Sequence, residues 1–291
     1  IDLPTIRNLL KVFGPISVPE VGGKLTAKNV FELLSYAVEV EKSGGQGEEG
    51  KKAAVVSFAG AVMKRLFTLS EEEFIPVMQA LATSANEKHI QLYLKDASAQ
   101  AAMVTAGWSG AIAPAADTTD VVAVANAVMR KPAKSNLGVA KQLDYDVTLS
   151  AQDGAKTTLV LGYTKSADNP LGSLQDVFNN LARVHRASGT TLTGGSKQIE
   201  SINDAVGLPT FANSFRLNSS KSTSVTMKVQ VPNALRQDSD GTWHYRLLLV
   251  KQADLENTEA MVTVQIPDGW TVSAATAALR VSGTALKVTT A

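Results

Sequence analysis

The stretch Met103–Leu149, MVTAGWSGAIAPAADTTDVVAVANAVMRKPAKSNLGVAKQLDYDVTL, separates two kinds of sequence. Upstream, apolar residues recur at helical spacing; downstream, short alternating runs are divided by turn residues. The stretch therefore reads as a joint between two architectures. Within it, Asp117–Met129 suits a strand or a helix, and the β-branched Val121, Val122 and Val124 tip it toward a strand ending near Ala125, with Asn126 at its end. Lys141–Ser150 is a clear strand, because Leu143, Tyr145, Val147 and Leu149 fall on one face and Gln142, Asp144, Asp146 and Thr148 on the other.

Working back toward the start, Asp2 can cap a helix over about Pro4–Val12, with Ile6, Leu9, Leu10 and Phe13 on one side. A brief strand at Ile16–Val18 follows, then a helix over about Lys28–Glu41 with Thr26 as its cap. Ser43–Gly50, SGGQGEEG, reads as a flexible surface loop. Lys51–Phe67 is the strongest helix pattern; it is apolar on more than one face and is expected to be well buried. Ser70 and Glu73 form a capping box for the next helix. His89–Lys95 alternates and reads as a strand, and Asp96 caps a last helix over Ala97–Thr105. Strands at Ile16, His89 and Val121 among helices predict an α/β region with a small mixed sheet.

Working forward, Asp153–Gly154 signals a hairpin joining Lys141–Ser150 to Thr157–Tyr163. Gly172–Arg186 is open between a helix and a loop leading into a strand over about Leu181–Ala187. From Phe211 onward, alternating segments at Phe211–Leu217, Ser224–Val231, Trp243–Lys251, Ala260–Ile266 and Ala278–Thr289 predict an antiparallel, immunoglobulin-like β-sandwich. The expected organisation is an α/β domain over 1–140, incomplete at its start, and a β-sandwich over 141–291 with an irregular insertion at 165–210.

A formal net charge of +1 provides no long-range field toward nucleic acid or acidic lipid. The absence of cysteine removes disulfides, thiolate metal sites and thiol nucleophiles. Charged residues make up only 19%, so the surface must rely on Ser, Thr, Asn and Gln, a balance familiar in exported or assembly-forming proteins. The most apolar run, Ala53–Met63, is too short to span a bilayer, and the uncharged run Ala97–Ala116 is interrupted by Gly107, Gly110 and Pro114.

No catalytic motif is complete: HExxH, GxSxG and Walker sequences are all missing, and His89, His185 and His244 stand alone. Asp117 and Asp120 are the candidate catalytic pair, since neighbouring carboxylates can divide acid and base roles; an Asp-rich turn or helix cap is the simpler reading of them. Trp108 could stack a sugar ring or seal the joint. Asn126, Lys131, Lys134 and Asn136 together form the best candidate polar ligand site, offering amide and ammonium donors to a phosphate or polyanion.

The pieces DLPTIRNLLKVFGPISVP (2–19), LTAKNVFELL (25–34), HIQLYLKD (89–96), GWSGAI (107–112), TDVVAVANAVMRKPAKSN (119–136) and LDYDVTLSAQDG (143–154), then PNALR (232–236), YRLLLVKQ (245–252) and IPDGW (266–270), occur in an order that resembles the bacterial domain-of-unknown-function family 4012 (DUF4012). The resemblance implies a bacterial surface protein whose membrane anchor and a further α/β portion precede the position of Ile1. Leu3–Val18 is also similar, more distantly, to LytR-CpsA-Psr phosphotransferases, whose acidic and basic site residues have no counterparts that can be placed here.

The functional expectation is a noncatalytic cell-surface or extracellular structural protein, without a cofactor, whose partners are other surface subunits or a missing N-terminal fragment. The alternative is an envelope glycopolymer-binding or phosphotransferase-like fragment, in which the two aspartates hold a divalent cation and Lys134 faces phosphate.

Overall fold

The computed structural model describes residues 2–21, 23–37, 47–129, 135–167, 176–203, 207–250, 252–253, 258–276, 280–282 and 285–290. The chain forms two compact units, one essentially Ile1–Ala111 and the other essentially Ile112–Ala291.

The first unit is helical around one small hairpin. Helix α1 (Leu3–Phe13) is capped by Asp2, whose Oδ1 accepts from the Thr5 N–H at 3.3 Å, and it buries Ile6, Leu9, Leu10 and Phe13. Gly14, at φ +77°, ends it. Strands β1 (Ile16–Val18) and β2 (Gly23–Leu25) pair antiparallel and place Ile16, Val18 and Leu25 in the same core. Helices α2 (Val30–Tyr36), α3 (Gly47–Leu66), α4 (Glu71–Asn86) and α5 (Ala97–Thr105) follow. The Ser70–Glu73 capping box is formed in full, and Arg65 from the end of α3 is ion-paired to Glu73. Of the expected loop at 43–50, residues 43–46 lie outside the described residues and Gly47–Gly50 are the first turn of α3.

Three expectations for this region are corrected. His89–Lys95 is not a strand: among the described residues no strand bonds it, and it is pinned instead by the His89 N–H on Ser84 O at 2.8 Å, the Leu92 N–H on Trp108 O at 2.8 Å and the Leu94 N–H on Gln100 Oε1 at 2.8 Å. Alternation without a ladder leaves Leu92, Tyr93 and Leu94 exposed. The three-stranded α/β sheet is also absent among the described residues, where the first unit holds only β1 and β2. Finally, α3 buries Phe58 and Val62 but leaves Val55, Val56 and Met63 exposed, so its second apolar face meets water and not a core.

The second unit is a two-layer sandwich. Its strands are β3 (Asp120–Val128), β4 (Val139–Ser150), β5 (Gly154–Lys165), β6 (Val177–Arg186), β7 (Thr191–Gly195), β8 (Glu200–Ile202), β9 (Thr210–Asn218), β10 (Ser222–Val231), β11 (Arg236–Gln237), β12 (Trp243–His244), β13 (Leu247–Val250), β14 (Thr258–Gln265), β15 (Arg280–Ser282) and β16 (Ala285–Thr290). One sheet runs β15-β16-β14-β4-β5-β10-β7 and the other β13-β3-β6-β9-β8, with β11 and β12 a separate pair. Leu143, Tyr145, Val147, Leu159, Leu161, Val225, Met227 and Val229 from the first sheet share a core with Val122, Phe178, Ala182, Val184, Phe211 and Leu217 from the second.

The immunoglobulin-like, wholly antiparallel arrangement is corrected to a mixed one, because β14 runs parallel to β4 and β13 parallel to β3. Because β3 bonds to β6 and β13, the units divide at Ala111 rather than at residue 140. The ambiguous segment before residue 187 is strand β6: Phe178, Asn180, Ala182 and Val184 alternate inward between β3 and β9, a period that a helix cannot present. The run Trp243–Lys251 breaks at Tyr245–Arg246, where the chain leaves β11 and joins β3.

Candidate functional site

The most concentrated polar chemistry lies between the sheets of the second unit. Asp120 opens β3 and Arg186 closes β6, so antiparallel pairing brings the carboxylate and guanidinium to the same end of the sheet. Arg186 Nη2 lies 3.0 Å from Asp120 Oδ1, and their side chains are 1% and 0% exposed. Tyr145, inward on β4 of the facing sheet, donates to Asp120 Oδ2 at 2.5 Å and accepts from Arg186 Nη2 at 2.5 Å. Its ring lies under the guanidinium, 5.0 Å from the ring centre. Tyr245, in the break before β13, donates its hydroxyl to the same Oδ2 at 2.9 Å.

Charge is thus balanced inside the cluster, and both carboxylate oxygens are occupied. Burial, with Asp120 beside it, pushes the Tyr145 and Tyr245 hydroxyls above the ordinary tyrosine range. Burial works against the Arg186 charge, yet Tyr145 and Asp120 outweigh it and hold the guanidinium protonated. Arg186 Nε has no hydrogen-bond partner. The arrangement ties β3 and β6 to β4 across the core.

Asp117, the other carboxylate of the expected pair, is placed apart, on the surface in an ion pair with Arg246. The Arg246 carbonyl accepts from the Thr119 and Asp120 N–H groups at 3.0 and 3.1 Å, which holds the turn carrying both aspartates. The two carboxylates therefore face different surroundings, one sealed by Arg186 and two phenols, the other in water.

A second polar cluster forms around Asn126. Its Oδ1 accepts from Tyr163 Oη and Asn180 Nδ2, each at 2.8 Å, while Gln252 bonds its backbone N–H at 2.6 Å and its carbonyl at 3.0 Å. Asn180 is 1% exposed and its Oδ1 has no partner. Asn136 sits in the turn before β4, where its carbonyl accepts from the Val139 N–H at 3.3 Å; no hydrogen bond joins it to Asn126. Lys131 and Lys134 lie outside the described residues. Nearby Lys165 is buried, bonding the Ser135 and Leu137 carbonyls at 3.2 and 3.4 Å, and burial lowers its ammonium below the ordinary lysine range.

Trp108 belongs to the first unit, where its indole N–H donates to Asn86 Oδ1 at 2.9 Å. The histidines are separate: His89 faces Asp2 at 2.7 Å, His185 faces Thr210 at 2.8 Å and His244 faces Asp238 at 2.8 Å. Among the described residues no three His, Asp or Glu side chains converge in a metal-binding group. No helix among them is long and apolar enough to cross a membrane.

The partners Tyr145, Arg186, Tyr245, Tyr163, Asn180 and Gln252 were missed by motif and spacing. One signal was available: a carboxylate opening an apolar strand requires a cation once buried, and Arg186 stands at the end of a later apolar segment. Nothing in the sequence paired the two.

No protein-family model matches the chain, and no curated protein matches it. Solved structures show only weak likeness. An M1 zinc metallopeptidase from Deinococcus radiodurans, in a variant bound to a Tyr-Ser-Ala substrate, has a TM-score of 0.33 and 9% identity, over 52% of this chain and 38% of that one. A protein from Legionella pneumophila described as nutrient binding has a TM-score of 0.33 and 9% identity, over 59% of this chain and 66% of that one. The chain thus spans little more than a third of the peptidase and about two thirds of the Legionella protein.

Proposed function

We propose that this chain is a noncatalytic structural subunit of a cell-surface or extracellular assembly. The observation that carries the reading is the apolar surface of the helical unit: Val56, Met63, Phe67, Phe74, Ile75 and Met78 are all about half exposed or more. Monomers rarely leave so many large apolar groups uncovered, and such patches mark contact surfaces. The low charge and the order of sequence pieces resembling DUF4012 favour the cell surface as the location. The sealed, neutral Asp120 cluster serves such a protein as an internal tie between sheets.

The test is isolation from the native cell without a tag, followed by cross-linking of the intact particle. A subunit is recovered with its neighbours, and Met63→Lys with Phe67→Lys leaves the fold unchanged while releasing the chain as a free species. A strictly monomeric chain that associates with no envelope material would remove the reading.

Glycopolymer binding is the second reading, and one observation favours it. Trp243 and Trp270 stack with ring centres 5.7 Å apart and planes 19° from parallel, both partly exposed. The stacked pair presents partly exposed aromatic surface of the kind that suits a sugar ring. Titration of soluble envelope glycan against the native chain and Trp270→Ala decides it: equal responses, or none, exclude this face.

A further inference from the structure

We propose that the β-sandwich holds one buried water molecule as a fixed part of its core, bridging Arg186 Nε and Thr157 Oγ1 beside Tyr145. These two atoms are the unmatched remainder of a cluster that is otherwise closed. Arg186 and Thr157 are 1% and 4% exposed, and neither Arg186 Nε nor Thr157 Oγ1 has a hydrogen-bond partner. Buried polar atoms in folded proteins are almost always paired, with protein groups or with ordered water.

The two groups converge on Tyr145 from opposite sheets. Thr157 faces inward on β5 and pairs with Val147 of β4, which sets it diagonally beside Tyr145, whose own partner is Leu159. Its hydroxyl stands close enough to Tyr145 to favour the phenolate, yet it makes no direct hydrogen bond. Arg186 arrives from β6 of the facing sheet, and its Nη2 meets the same Tyr145 hydroxyl at 2.5 Å. Nε belongs to the same rigid planar fork as Nη2, so it too lies near Tyr145 Oη. Among the described residues nothing closes the gap directly: Nη2 is committed to Asp120 and Tyr145, and both Asp120 oxygens are taken.

Charge decides the occupant. Arg186 and Asp120 cancel, so a further anion such as chloride would stand as a net charge sealed away from water, and a further cation would face the guanidinium. The site therefore takes a neutral group that accepts from the Nε–H and exchanges a hydrogen bond with a hydroxyl, and water is the smallest molecule that does both. Tyr145 Oη retains a lone pair for the third bond that buried waters typically make.

Thr157→Val removes the hydroxyl at nearly constant shape, and Thr157→Ser keeps it. With the bridge in place, Thr157→Val leaves Nε and the water short of a partner, so the unfolding constant in urea rises roughly tenfold. Without the bridge, the same change only deletes an unpaired buried hydroxyl and leaves stability equal or higher. Magnetic relaxation dispersion of isotope-labelled water counts the long-lived internal molecules: Thr157→Val is expected to lose one relative to the native chain, and Thr157→Ser none. A Thr157→Val chain that is as stable as the native one, or that keeps every long-lived water, overturns the proposal. A crystal structure of the native chain, grown with bromide present, covers the case in which the valine variant does not fold. Density for a water within hydrogen-bond distance of both atoms supports the bridge; a bromide there, or a direct contact between Arg186 and Thr157, overturns it.

Discussion

Replacing Arg186 with methionine is expected to destabilise the β-sandwich more than any other single change in its polar interior. Methionine fills much of the same volume but leaves Asp120, which is fully buried, with two phenol hydroxyls and its neighbouring Val121 N–H in place of a cation. Removing one partner of a buried ion pair costs about 3–5 kcal/mol, because the remaining charge is stranded away from water. For a unit of this size each kcal/mol moves the midpoint by about 2–4 °C, so thermal unfolding should fall by roughly 6–20 °C. Near-ultraviolet circular dichroism and urea unfolding read this directly. Replacing the whole group, as Asp120→Leu, Arg186→Met, Tyr145→Phe and Tyr245→Phe together, removes the stranded charge and should recover at least half of the loss. The reasoning is refuted if Arg186→Met costs less than about 1 kcal/mol, or if the fourfold variant is less stable than Arg186→Met alone.

The same cluster predicts alkaline sensitivity. Tyr145 and Tyr245 have raised folded-state pKa values, so above the ordinary tyrosine pKa of about 10 the unfolded chain binds fewer protons than the folded one, and stability falls as pH rises. Absorbance titration should show Tyr145 and Tyr245 ionising only as the fold opens; their ionisation while the fold is still intact would contradict the burial. At the opposite end, Arg65 and the Ser70 amide hold Glu73 down to about 2 from its ordinary 4.5. Its contribution is complete above 4.5 and is lost as pH falls toward 2, so Glu73→Gln should flatten the acid limb of the helical signal between those values. Gly154 lies at φ +80°, and an added Cβ would fall 2.3 Å from Val231 O. Gly154→Ala should therefore destabilise by about 2 kcal/mol or more in urea, whereas a loss under about 0.5 kcal/mol would mean that the hairpin relaxes freely.

Much of the local structure was legible because it depends on neighbours in the chain. Asp2, Asp96 and the Ser70–Glu73 box all cap helices, since a cap is satisfied within three or four residues. The β4–β5 hairpin follows from alternation and the Asp153–Gly154 turn for the same reason. His89–Lys95 shows the limit: its alternation is as good as a strand's, but a strand exists only if another supplies the ladder, and among the described residues none does. The pattern of α3 had the opposite fault, since apolar residues on two faces say nothing about how many faces find a core.

The candidate site was half legible. Asp120 and Asn126 stood out as polar residues at the start and toward the end of an apolar strand, but Tyr145, Arg186 and Tyr245 are 25, 66 and 125 residues from Asp120. Asp117, only three positions away, belongs to a different environment.

The sequence by itself determined the helical and β halves, the caps, the hairpin turn and the alternation that makes strands two-faced, because each of these is settled by interactions over a few residues. Only the tertiary structure decided that β13 and β14 lie parallel to their neighbours, that β3 belongs to the sandwich, that Asp120 is neutralised by Arg186, and that one face of α3 remains uncovered. Those outcomes depend on which distant segments meet, and burial and charge pairing are properties of the meeting rather than of either segment.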